Sequence, residues 1–100
     1  MRRTRTVQVD LAKLLLSEIS RFLEIVMAMF YRDHAPPHFH AFYGDQEVTI
    51  GIDIGQINGS FLRRALAHVQ EWRMLHQEEL LNTWTLARGI KPLPRIELLE

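Results

Sequence analysis

Residues 38–54 read HFHAFYGDQEVTIGIDI, and this stretch leaves the chain little freedom of fold. Val48, Ile50, Ile52 and Ile54 alternate with Glu47, Thr49, Gly51 and Asp53. That is the period-two pattern of a strand with one face in a core. Before it, Gly44-Asp45 puts glycine first in a two-residue loop, as a type II′ hairpin turn requires. A loop of that length sets the register. Tyr43 faces Gln46, Phe42 faces Glu47, Ala41 faces Val48, His40 faces Thr49, Phe39 faces Ile50 and His38 faces Gly51. Opposed residues point the same way. One face therefore carries Phe39, Ala41, Val48, Ile50 and Ile52, and the other carries His38, His40 and Phe42 with Glu47, Thr49, Gly51 and Asp53. A slip of one residue would put the isoleucines in water.

The rest of the chain is read around this hairpin. Val7 and Val9 alternate with polar residues, which suits a short strand. DLAKLLLSEIS, from Asp10, has a capping residue and amphipathic spacing, so a short helix is expected there. Residues 22–32 form a continuous apolar run that suits one buried strand. Pro36 and Pro37 lack ladder donors and end it in a turn. GQING, residues 55–59, reads as a loop, and Ser60 as the cap of a helix. Leu62, Ala65, Leu66, Val69, Trp72, His76, Leu80, Trp84 and Ala87 then recur at steps of three and four, up to a stop at Gly89. A helix over residues 61–88 would be ~42 Å long at 1.5 Å per residue. That is long for this chain, so a break near Gln77–Glu79 is expected. The tail IKPLPRIELLE is held extended by its prolines and could add an edge strand. The expectation is an α+β fold: an antiparallel sheet of three to four strands with a long or kinked C-terminal helical segment packed on one face. Residues 1–18 would be an N-terminal extension with a short helix, and residues 19–100 a single α+β domain.

Composition narrows the function classes. The chain has 100 residues, 47% apolar and 24% charged, which suits one globular domain. With no cysteine, disulfides, thiolate zinc sites and thiol nucleophiles are excluded. The longest apolar run, Ile25–Tyr31, is far below the ~20 residues that span a bilayer. The basic N-terminus is broken by Lys13 and lacks a cleavage site. No membrane partner and a cytoplasmic location are therefore expected. Net charge is zero, and residues 35–60 hold Asp45, Glu47 and Asp53 but no lysine or arginine. Nucleic acid as a partner has no support from such a charge pattern. A homo-oligomer is an option for covering the remaining surface of so small a core.

Three of the five histidines lie in DHAPPHFH, residues 33–40. The register places His38 and His40 on the polar face, ~7 Å apart along the strand. Glu47 and Thr49 stand beside His40, Asp53 is diagonal to His38, and Asp33 and His34 lie on the turn. Three readings compete. In the first these are solvated or hydrogen-bonded polar residues of an open face. In the second His38, His40 and Asp53 ligate a metal, with Asp33 or His34 able to complete a tetrahedron. In the third His34, His38 and His40 are catalytic acid–base groups for nucleic-acid cleavage, oriented by Asp33 and Asp53, with Arg32 or Arg21 to stabilise developing negative charge. The acidity of the segment counts against a polyanionic substrate. No cofactor is specified. His76, on the apolar stripe, reads as a core residue with a hydrogen-bond partner, His68 as its flank, and Trp72 and Trp84 as core anchors.

The stretch ISRFLEIVMAMFYRDHAPPHFHAFYGDQEVTIGID, with its D-H-x-P-P-H-F-H signature, resembles a family of small bacterial proteins catalogued as domain of unknown function 4160. The likeness continues through RRALAHVQEWRMLHQEELLNTW to the K-P-L-P-R-I segment, about residues 19–98. The resemblance implies one half of a toxin–antitoxin-like module, with a small protein encoded by the neighbouring gene as partner. It implies no catalytic residue. Where the family shows G-x-L-P before the helix, this chain reads GSFL.

Overall fold

A computed structural model describes residues 16–97. Five strands precede two helices: β1 (Leu16–Phe22), β2 (Ile25–Phe30), β3 (His38–Tyr43), β4 (Gln46–Gly51), β5 (Ile57–Ser60), α1 (Arg63–Leu75) and α2 (Gln77–Arg88). The strands form one antiparallel meander in the order β1-β2-β3-β4-β5. The α+β class and the C-terminal helical segment are as expected, but the sheet has five strands rather than three to four.

The β3–β4 hairpin pairs Tyr43 with Gln46 through to His38 with Gly51, the register its loop requires. Gly44 has φ +60, the left-handed conformation that the first position of a type II′ turn demands. The extra strands lie at the two edges. The apolar run at residues 22–32 is not one strand. It is interrupted at Leu23 and Glu24, which take φ +50 and +63 and close a two-residue hairpin between Phe22 and Ile25. Leu16–Phe22 therefore pairs as β1, and the part of the expected short helix that falls on residues 16–20 is extended. The rest of that helix, and the Val7–Val9 strand, lie outside the described residues. At the other edge, GQING does not remain a loop. Ile57 pairs with Ile50, Asn58 with Thr49, Gly59 with Val48 and Ser60 with Glu47. Gly59 has φ +112, and a Cβ there would come within 2.7 Å of the Glu47 carbonyl, so only glycine fits. Ser60 thus ends a strand instead of capping a helix. The first turn of α1 has no side-chain cap, and Gln46 Oε1 accepts the Leu62 N–H at 2.8 Å.

Both helices cover the apolar face. Ala65, Val69 and Trp72 of α1 and Leu80, Trp84 and Ala87 of α2 pack on Ile19, Ile25, Met27, Met29, Phe39, Ala41, Val48, Ile50 and Ile52. The Phe39 ring meets Trp72 edge-on at 5.4 Å. Each large side chain so buried contributes roughly 1.5–3 kcal/mol. The helical segment breaks at His76 (φ −120, ψ 26), one residue before the expected stretch. A buried arginine joins α1 to the turn after β4. Arg73 Nη1 donates to the Ile52 carbonyl at 3.1 Å, and Gln77 Nε2 to the Asp53 carbonyl at 2.8 Å. The tail lies along β1 without forming a strand among the described residues. Ile96 N–H donates to Ile19 at 2.7 Å, Ser20 Oγ donates to Ile96 at 2.9 Å, and Trp72 Nε1 donates to the Glu97 carbonyl at 2.9 Å. Among the described residues, no helix is long and apolar enough to cross a membrane.

Candidate metal centre beneath the proline turn

Val26, Ala28 and Phe30 of β2 lie on the same side of the sheet as His38 and His40, the side away from Met27 and Ala41. The turn from Tyr31 to Pro37 folds over this side. Its start is pinned to the end of α2: the Arg32 N–H donates to the Ala87 carbonyl at 3.2 Å, and Arg88 Nη1 donates to the Asp33 carbonyl at 3.1 Å. The Ala35–Pro36 peptide bond is cis. The turn brings Asp33 back over β3, where Oδ2 lies 2.9 Å from His38 Nε2 and 3.3 Å from His40 Nε2.

The outward nitrogens are also engaged. His38 Nδ1 donates to the Pro36 carbonyl at 2.8 Å, and His40 Nδ1 lies 3.1 Å from Glu47 Oε2. The rings are walled in on their remaining sides. Phe30 stands edge-on to His40 at 4.7 Å, Phe42 stacks on it at 6.2 Å, and Trp84 reaches His38 at 5.2 Å. His38 and His40 are accordingly only 9% and 8% exposed. The face expected to be open is closed at this point, because Trp84 and the proline turn cover it.

Burial of Asp33 pushes its carboxyl pKa up, but the His34 N–H and the bonds and charge of His40 and His38 outweigh this and hold it below the usual carboxylate value. The His34 N–H donates to Asp33 Oδ1 at 2.8 Å. An ionised Asp33 can only accept, and so can the Pro36 carbonyl. Four contacts then join the two rings to acceptors: His38 to Pro36 and Asp33, and His40 to Glu47 and Asp33. Two neutral imidazoles supply two N–H donors. With each Nδ1 donating outward, the two Nε2 contacts to Asp33 lack a donor, and a cation held between both Nε2 atoms and Asp33 Oδ2 would take their place.

One ligand atom each from Asp33, His38 and His40 lies within 4.8 Å of the others. The separations from Asp33 Oδ2, 2.9 and 3.3 Å, are close to the ~3.3 Å between neighbouring donors around an ion bonded at 2.0–2.1 Å. The second contacts, from Nδ1 to Pro36 and Glu47, are of the kind that fix metal-ligating imidazoles with Nε2 turned inward.

The other predicted site residues fare differently. His34 stands at the rim, its side chain 84% exposed, with its ring 5.3 Å from that of His38. Asp53 is not brought to the cluster. The strand ends at Gly51, the chain turns, and Asp53 is exposed beyond the face, accepting through its carbonyl from Arg73 of α1 and Gln77 of α2. Arg21 pairs with Glu18 on β1, whereas Arg32 lines the pocket in front of the trio. His76 is partly buried at the helix break against Trp72 and bonded to Glu79. Trp84 and Phe30 were not legible as walls of the site. Neither were Gln56 and Asn58, which line the same pocket of about 560 Å³.

No curated protein and no solved structure matches the chain. A family model described as domain of unknown function (DUF4160) matches residues 24–85, more than half of the chain, from the start of β2 into α2 and across Asp33, His38 and His40. The chain therefore belongs to the DUF4160 family.

Proposed function

We propose that this protein binds one divalent transition-metal ion through Asp33, His38 and His40. The observation that carries this reading is the convergence of both Nε2 atoms on Asp33 Oδ2 while both Nδ1 atoms are held by oxygen acceptors. Two nitrogens and one carboxylate oxygen suit zinc, and also iron(II) where other positions stay open. A bound ion would supply Lewis-acid chemistry to a ligand in the adjoining pocket. Acid–base catalysis by His38 and His40 has less support, since no ring nitrogen of either is left free for a substrate. Tag-free protein purified without chelators should carry about one metal per chain in elemental analysis. After chelation, added zinc or nickel should raise Tm, because binding at 100 times Kd stabilises by about 2.7 kcal/mol. Absence of both effects would remove the reading.

A second reading, binding of a protein partner, draws on exposed apolar side chains around the helix break. Met74, Leu75 and Leu81 are 64%, 63% and 40% exposed. This is compatible with the two-protein, toxin–antitoxin-like module that the family resemblance implies, or with a homo-oligomer. Light scattering of the chain alone and with the neighbouring gene product tests both.

A further inference from the structure

The pocket in front of the trio has a polar wall that cannot ionise, formed by Thr49, Gln56 and Asn58. The register brings this wall to the metal ligands. His40, Thr49 and Asn58 form one row across β3, β4 and β5, and the next row begins with His38 opposite Gly51. Gly51 leaves room that Gln56 takes: a Cβ at position 51 would overlap the Gln56 carboxamide. The Gly51 N–H donates to the Gln56 carbonyl at 2.9 Å, which fixes the backbone of that residue. The amide of Gln56 therefore lies over the Gly51 position, in the row of His38.

Arg32 is the one arginine or lysine among the lining residues, and Asp33 the one carboxylate. The guanidinium makes no hydrogen bond or ion pair to another described residue, although the backbone of Arg32 is tied to α2. Among the lining residues, which do not include Glu47 behind His40, the opposite charges of Asp33 and Arg32 cancel, so the two charges of a divalent ion face the pocket. That matches a phosphate-monoester dianion. A nucleic-acid strand would instead call for a run of cations along its phosphates, and residues 35–60 contain none. A volume of about 560 Å³ suits a small molecule.

Resting on the metal reading above, we infer that this pocket binds a small phosphate monoester. Its phosphoryl oxygens are shared between the ion at Asp33, His38 and His40 and the Arg32 guanidinium. The hydroxyl-bearing remainder lies against Thr49, Gln56 and Asn58.

The test loads the full chain with cobalt(II) and titrates it with glycerol phosphate, following the visible spectrum and the heat of binding. A saturable one-to-one change is expected. Arg32→Gln should weaken glycerol phosphate by about tenfold or more, the worth of a charge-assisted bond, with cobalt affinity unchanged. Gln56→Ala, at an exposed position, should weaken it by about threefold to tenfold. Cobalt uptake with a spectrum indifferent to glycerol phosphate overturns this inference and leaves the metal reading standing. Equal affinity in Arg32→Gln, or tighter binding of a single-stranded oligonucleotide than of glycerol phosphate, also overturns it. No cobalt uptake at all overturns both.

Discussion

Two histidine–carboxylate contacts in this protein are built in opposite ways. His76 and Glu79 are three residues apart and meet where one helix ends and the next begins. The contact is local, Glu79 is half exposed, and the other side of the ring packs on Trp72. His38, His40 and Asp33 come together from a strand and a returning turn, with ring nitrogens facing more acceptors than neutral histidines can satisfy. The first contact shapes the fold and is complete without a ligand. The second costs the fold desolvation of a carboxylate and two imidazoles, and a cation would relieve that cost. A distance alone does not separate the two. Counting donors against acceptors does.

The comparison breaks most readily at the strand. A His38→Ala/His40→Ala variant should lose bound metal altogether, from about one ion per chain to none, and should lose the zinc-dependent rise in Tm. His76→Ala should keep the full metal content. If the two variants retained metal equally, the distinction would collapse. A milder change probes the outward contact. Glu47→Gln keeps the shape but removes the charge facing His40 Nδ1, and should weaken metal binding by about 10–100-fold, as lost supporting partners do. Calorimetry with zinc measures it. An unchanged affinity would mean that Glu47 is only a surface neighbour.

At the helix break the expected effect is on stability. His76→Ala removes the Glu79 bond and part of the cover over Trp72, and should cost about 1–2 kcal/mol in urea unfolding. The metal-free double variant at 38 and 40 should lose more, because it leaves the largely buried Asp33 carboxylate without its two ring partners.

How much of this was legible follows from where each contact originates. The β3–β4 register was fixed by one glycine-led loop and an alternation that a slip would have exposed. It placed His38, His40, Thr49 and Glu47 on one face. Both sheet edges were missed for identifiable reasons. Leu23 and Glu24 are not residues that signal a left-handed turn, so β1 and β2 read as helix and single strand. β5 is exposed throughout, has one large apolar residue, and so carries no burial pattern. Asp53 was placed by extending the alternation past Gly51, where the strand in fact ends. Asp33 belongs to a turn whose path is set by α2 through Arg32 and Arg88, and no local periodicity encodes that.

A third carboxylate sharpens the contrast because its partners are permanently charged. Glu18 on β1 bonds Arg21 at 3.0 Å and Arg95 of the tail at 3.0 Å. Its pKa is lowered, chiefly by the Arg21 hydrogen bond, against a smaller opposing effect of burial. A carboxylate with a depressed folded pKa contributes stability that is fully present above its unfolded value, here near 4.5, and that disappears as pH falls through the folded value. Glu18 is partly exposed, so solvent screening limits the contribution to about 0.5 kcal/mol. Wild type should therefore exceed Glu18→Gln by about this amount in urea unfolding at pH 6–7, with the gap closing toward pH 3 and shrinking in high salt. A gap that widens on acidification would reverse the sign and show that Glu18 is held by burial and not by its arginines. Unlike the Asp33 cluster, this site should show no response to added zinc at any pH.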